Sequence, residues 1–97
     1  MIETDVIVKN TDASNSIDIK FVGELAKTAL IYRSNSTIYK NNETFNAKSV
    51  LSLMSCNLEY GDKIHLRCKG DDEKYALDSI VELLTKGETQ KWLKDYL

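Results

Sequence analysis

From Lys63 to Lys69 the chain alternates without a break, with Ile64, Leu66 and Cys68 on one side and His65, Arg67 and Lys69 on the other. A period of two sends successive side chains to opposite faces of an extended backbone, so this segment predicts a strand with one face in the core and one in water. Two other stretches follow a three- and four-residue spacing. Val22, Leu25, Ala26 and Ala29, with Phe21 extending the row, predict a helix from Ile19 to about Tyr32 or Arg33. Ala76, Leu77, Ile80, Val81 and Leu84 predict another, opened by the acids of Gly70-Asp71-Asp72-Glu73 at its positive end and terminated at Gly87.

Shorter signals fill the gaps. Asp5-Val6-Ile7-Val8 is a β-type run, and Thr11 to Ser16 is a polar loop of residues that bond their own backbone. Ser36 to Lys40 and Glu43 to Phe45 flank Asn41-Asn42, a pair that tolerates the positive φ of a tight hairpin turn. Ser49 precedes the apolar run Val50 to Met54, where its hydroxyl can accept from an unpaired amide of a short helix. The order is β-α-β-β-α-β-α, an α+β open-faced sandwich. Residues 1–87 form this domain and residues 88–97 an extension. There Trp92, Leu93, Tyr96 and Leu97 oppose Lys91, Lys94 and Asp95 as a short amphipathic helix. So short a helix needs support, either from its own domain or, through Trp92 and Tyr96, from a second copy or a partner.

Composition narrows the function. Ninety-seven residues, 42% of them hydrophobic, suit one modest core. A net charge of -2, with lysines and arginines dispersed among acids, argues against direct nucleic-acid binding. The opening Met-Ile-Glu-Thr-Asp lacks a basic or apolar leader and no apolar run is long enough to span a bilayer, so a cytoplasmic protein that does not enter membranes is expected. Cys56 and Cys68 have neither CxxC spacing nor nearby histidine partners and read as reduced, semi-buried thiols. No second His, Cys or acid cluster at ligand spacing supports a metal, and nothing calls for a cofactor. His65, the single histidine, falls on the water-facing side of its strand beside Arg67 and Lys69, which disfavour its protonation. Gly23 costs its helix about 1 kcal/mol relative to Ala, a cost to be offset by packing or by the close approach of another surface.

The run Asn46-Ala47-Lys48-Ser49, with Leu53-Met54-Ser55, Gly61, Gly70, Asp72-Glu73 and Ala76-Leu77, resembles HPr, the small phosphocarrier of the bacterial sugar phosphotransferase system. The resemblance extends from about Val6 to Leu84. It implies a four-stranded antiparallel sheet covered on one face by three helices. It also implies a Gly-x-His-Ala-Arg-Pro-type signature at the entry to the first helix, where this chain reads Ser16-Ile17-Asp18-Ile19-Lys20-Phe21. Ungapped counting from Ser49 puts Asp18 at the phosphoryl-accepting histidine, Lys20 at the arginine and Phe21 at the proline. Three roles fit Asp18. It can cap the helix; with Lys20 it can present a standing negative charge in place of a phosphoryl group; or its carboxylate can accept phosphate.

The resemblance further implies that Ser49 matches the serine phosphorylated by an ATP-dependent HPr kinase, after which the carrier docks on a transcription factor. Sequence alone leaves a plain N-cap equally open. Leu51 and Met54, with Gly23 and Lys27, match an apolar docking patch, while their spacing also suits buried core. The expected function is therefore a catalytically silent, HPr-like regulatory and interaction protein related to the phosphotransferase system, switched at Ser49. It would be a monomer or weak dimer whose partners are HPr kinase, a transcription factor or phosphotransferase components. The alternatives are a phosphocarrier using a non-histidine acceptor, and a diverged domain that binds an unrelated partner through its tail.

Overall fold

The computed structural model describes the backbone of residues 1–9 and 19–96 and the side chains of residues 1–9 and 19–85. Its elements are β1 (Ile2–Ile7), α1 (Ile19–Ile31), β2 (Asn35–Lys40), β3 (Glu43–Asn46), α2 (Val50–Cys56), β4 (Lys63–Lys69) and α3 (Glu73–Tyr96). The strands form one antiparallel sheet in the order β1-β4-β2-β3. The predicted polar loop from Thr11 to Ser16 lies outside the described residues.

The alternation in β4 does what its period requires. Ile64, Leu66 and Cys68 are buried while His65 and Arg67 stay partly exposed on the opposite face. The inward row meets Ile38 of β2 and Val6 of β1, and the three helices close over it with Leu25, Leu53, Ile80 and Leu84. Fully burying one such side chain is worth roughly 1.5–3 kcal/mol, so this single layer between helices and sheet carries most of the stabilisation. Strand β1 starts three residues earlier than predicted, because Ile2 and Thr4 continue the inward positions of Val6. Val8 lies past the strand yet is fully buried, its N–H donating to Asp62 O at 2.8 Å and its carbonyl accepting from Gly61 N–H at 2.7 Å.

The joints are built from specific polar groups. Asn41 (φ 52°) and Asn42 (φ 66°) take the two left-handed positions of the β2–β3 turn, as their side chains predict. Helix α2 stops at Asn57, also left-handed at φ 52°, with its N–H donating to Leu53 O. Lys40 seals that end, donating from Nζ to Cys56 O at 3.2 Å and Asn57 O at 2.6 Å and pairing with Asp62 at 2.7 Å. The α1–β2 turn is held from across the molecule by Asp72, which accepts from the Arg33 and Ser34 amides at 2.9 Å each and from the Ser34 hydroxyl.

Gly87 does not end α3. The helix runs on through Tyr96, since Glu88, Gln90, Lys91, Leu93 and Lys94 are good helix formers that outweigh the roughly 1 kcal/mol cost of one glycine. No helix of the described residues is long and apolar enough to cross a membrane.

Two expectations concern the Asp72 joint. At Gly70 (φ +153°) a Cβ would stand 2.6 Å from Ser34 Oγ and 2.7 Å from Ser34 Cα. Gly70→Ala should therefore lower unfolding free energy by about 1–3 kcal/mol, seen as a lower denaturant midpoint at unchanged slope; an unshifted midpoint would refute the close approach. The Ser34 hydroxyl, followed by the Arg33 and Ser34 amides, holds the Asp72 carboxyl below its ordinary 3.8. A depressed acid stabilises above its unfolded value and loses that contribution as pH falls through the folded one. Asp72→Asn should thus lower the melting temperature by a constant amount at neutral pH, and the gap should close only below about pH 4. A gap that persists in acid would assign the effect to something other than the charge.

Candidate functional site

The turn from β3 into α2 places Ser49 by four hydrogen bonds donated by backbone amides. Asn46 Oδ1 accepts from the Lys48 amide at 2.9 Å and Asn46 O accepts from the Ser49 amide at 3.0 Å. The Asn46 amide in turn donates to Ser52 Oγ at 2.9 Å, and buried Ala47 donates from its amide to Ser36 O, also at 2.9 Å. Ser49 itself is extended (φ -111°, ψ 118°), the geometry of an N-cap, and its Oγ accepts from the Ser52 amide at 3.2 Å. It is half-buried, and among the described residues nothing accepts a hydrogen bond from its hydroxyl. Ser52, which no motif singled out, is as much a part of this joint as Ser49; the serine three residues past the cap was its only sequence signal.

Around Ser49 the surface is apolar. Leu51 is 79% exposed and Val50 is exposed beside it, which removes the core reading of Leu51. Met54 divides between the two, half-buried and packed against the core. Helix α1 packs against α2; along α1 Lys27, Ile19, Leu30 and Ile31 are exposed and Gly23 is half-buried. Among the described residues a Cβ on Gly23 would meet nothing within 4 Å, so packing against them does not account for the glycine. On the hairpin side of α2 lies an open groove of about 510 Å³, lined by Asn35, Thr37, Thr44, Phe45, Asn46 and Ser52 among others. None of its lining groups is ionisable, so it offers no general acid, base or phosphate-neutralising cation.

Asp18 lies outside the described residues, as do the side chains of Trp92 and Tyr96. Lys20 is exposed in the first turn of α1, and Phe21 is buried in the core at 4% exposure. Both cysteines are buried free thiols. Burial pushes the Cys56 thiol up to about 11, and it also raises Cys68, so neither is poised as a nucleophile. Among the described residues no group of three His, Cys, Asp or Glu side chains could hold a metal ion.

For His65 the expected direction is wrong. Arg67 and Lys69 are its neighbours in sequence, but across the sheet His65 faces the acids of β1. Nδ1 lies 2.8 Å from Asp5 Oδ1 and Nε2 2.6 Å from Glu3 Oε1. The hydrogen bond to Asp5, then that to Glu3, raises the imidazole above its ordinary 6.5. Strand pairing brings residues 60 and 62 positions apart into contact, and short-range charge counting cannot see them.

Comparison with known proteins agrees with this geometry. A family model described as the PTS HPr component phosphorylation site matches residues 2–86. The phosphocarrier protein HPr of Borreliella burgdorferi is 27% identical over 84 residues, spanning 87% of this chain and 94% of its own length. That of Xylella fastidiosa (strain 9a5c) is 29% identical over 83 residues, spanning 86% and 90%. The solved structure of HPr-C-His from Thermoanaerobacter tengcongensis superposes with a TM-score of 0.79 at 28% identity, over 90% of this chain and 94% of that one. A match of this breadth, on a chain whose structure has the sheet order β1-β4-β2-β3, means that the chain belongs to the HPr phosphocarrier family of the phosphotransferase system.

Proposed function

We propose that this family member does not relay phosphate through a histidine but acts in the cytoplasm as a regulatory and interaction protein, switched by phosphorylation of Ser49. The observation that carries the reading is Ser49 itself, an N-cap whose hydroxyl is not committed as a donor among the described residues, two positions before the 79% exposed Leu51. A phosphoryl group added there would sit beside an apolar surface without any buried group having to move. It would add about -1.5 to -2 of charge, enough to change which partner that surface accepts. The absence of histidine carrier chemistry rests on the sequence. The chain has one histidine, and that one lies in β4, engaged by Glu3 and Asp5. At the position expected for the acceptor stands Asp18, followed by Lys20.

The docking surface under this reading is the ridge formed by Gly23 and Lys27 of α1 with Leu51 and Met54 of α2. Its partners are an HPr kinase and a transcription factor or a component of the phosphotransferase system. Gly23 supports the assignment because its missing side chain serves no contact within the described chain, which leaves the close approach of a partner as the reason for it. The tail, with Trp92 and Tyr96, is a second contact region under the same proposal.

Incubation with a bifunctional HPr kinase and ATP should add one phosphoryl group, mapped by mass spectrometry to Ser49. Ser49→Asn keeps an N-capping side chain and should abolish the modification without a loss of stability, which Ser49→Ala would confuse with the cost of a lost cap, about 1 kcal/mol. An unmodified protein beside a fully modified authentic HPr would sink the serine switch. Phosphoenolpyruvate-dependent labelling by the general phosphotransferase enzymes should fail, and labelling of any residue would instead establish a carrier with a non-histidine acceptor. On the docking ridge, Gly23→Ala should raise stability by about 1 kcal/mol while weakening partner binding. Leu51→Ala should weaken binding with stability unchanged to within about 0.5 kcal/mol. Calorimetric titration of the captured partner against both variants, beside their melting curves, separates the two effects, and unchanged binding in both would remove the ridge from the interface.

A further inference from the structure

The open face of the sheet carries a second polar cluster that the phosphoserine surface does not use. In the β1–β4 register Asp5 stands opposite His65 and Glu3 opposite Arg67. The imidazole thus sits between two carboxylates of the same strand, with Nδ1 on Asp5 Oδ1 at 2.8 Å and Nε2 on Glu3 Oε1 at 2.6 Å. A neutral imidazole has one N–H. It can donate to one of these acids and must turn a ring lone pair toward the other. Two carboxylate contacts at hydrogen-bond distance therefore call for protons on both ring nitrogens. We infer that His65 is a proton-operated clasp: as an imidazolium it ties the edge strand β1 to β4, and loss of one ring proton to water frees Glu3 or Asp5 and loosens β1 at that edge.

Among the described residues the groups facing the ring are few. On β1 they are Glu3 and Asp5. On β4 they are Arg67, whose Nε lies 3.6 Å from Glu3 Oε2, and Lys63, which acts on Asp5. On β2, Tyr39 tilts toward the imidazole with centroids 5.9 Å apart, its ring face taken by the Arg67 guanidinium at 5.1 Å. The helices pack on the opposite face of the sheet. The cations oppose a third positive charge, but neither contacts the ring, whereas both acids hydrogen-bond it directly, so the acids prevail. The same bonds lower both carboxyls, with His65 as the leading cause for each.

The sign follows from these directions. The histidine contribution is complete below its ordinary 6.5 and disappears as pH rises through the raised folded value. The carboxylate contributions are complete above 4.5 and 3.8 and disappear as pH falls through the lowered values. The clasp is closed between those limits and opens on the alkaline side. Because β4 is the one strand partner of β1 among the described residues, opening is felt at that sheet edge first.

Because His65 is the sole histidine, its ring resonances titrate unambiguously in the NMR spectrum of the full chain. The expected midpoint lies above 6.5 and moves back toward it in Glu3→Gln and again in Asp5→Asn. Over the same pH interval, amide exchange in β1 should lose severalfold more protection than in β2 after correction for intrinsic exchange. His65→Gln should remove that difference. A midpoint at or below 6.5, a midpoint indifferent to both substitutions, or an equal loss of β1 protection in His65→Gln would each overturn the clasp.

Discussion

Strand β4 has to satisfy two neighbours and two faces at once, and the rest of the molecule is arranged around that requirement. It pairs with β1 on one side and β2 on the other, so its backbone amides and carbonyls are committed in both directions. A one-residue slip would send Ile64, Leu66 and Cys68 into water and His65, Arg67 and Lys69 into the core. Burial of the inward row sets the register, and the register then decides every cross-strand contact. Asp5 and Glu3 reach His65, and Tyr39 reaches both His65 and Arg67, because the pairing puts them there.

The helices are held on this sheet by the apolar layer between them, and charged and polar groups fix their ends. Helix α2 spans seven residues, too few to persist alone, and is closed by Ser49 at one end and by Asn57 with Lys40 at the other. Lys40 comes from the last position of β2, so hairpin and helix are tied to the loop before β4 through its ion pair with Asp62. Asp72 does the same for the α1–β2 turn from the threshold of α3. The Lys40 and Asp72 devices join segments distant in sequence. Leu51 is left outside the core.

Under the proposed reading, stability and recognition meet at Ser49. Its side-chain oxygen satisfies one helix amide, while the turn in front of it is held by Asn46 and Ser52 independently of that oxygen. A modification at the hydroxyl would alter the charge of the surface while the frame beneath it stays bonded. A position of this kind suits a switch better than a core residue would, because the energy of modification is not spent on refolding.

Much of the architecture was legible from residue order alone. The periods of two and of three to four identified β4, α1 and the start of α3; Asn41-Asn42 identified the hairpin, and Ser49 the start of α2. These are properties of adjacent residues, and local backbone geometry is enough to express them. The family, too, was readable, from Asn46-Ala47-Lys48-Ser49 and the residues matching it downstream. Tertiary structure alone decided which of two apolar residues three positions apart faces water, leaving Leu51 outside and Met54 half inside. It also decided that nothing within the described chain fills the space at Gly23, and that α3 passes through Gly87. It reversed the expected protonation of His65, since the charges that matter to an ionisable group are those nearest in space, and in an antiparallel sheet those are contributed by the partner strand rather than by neighbours in the chain.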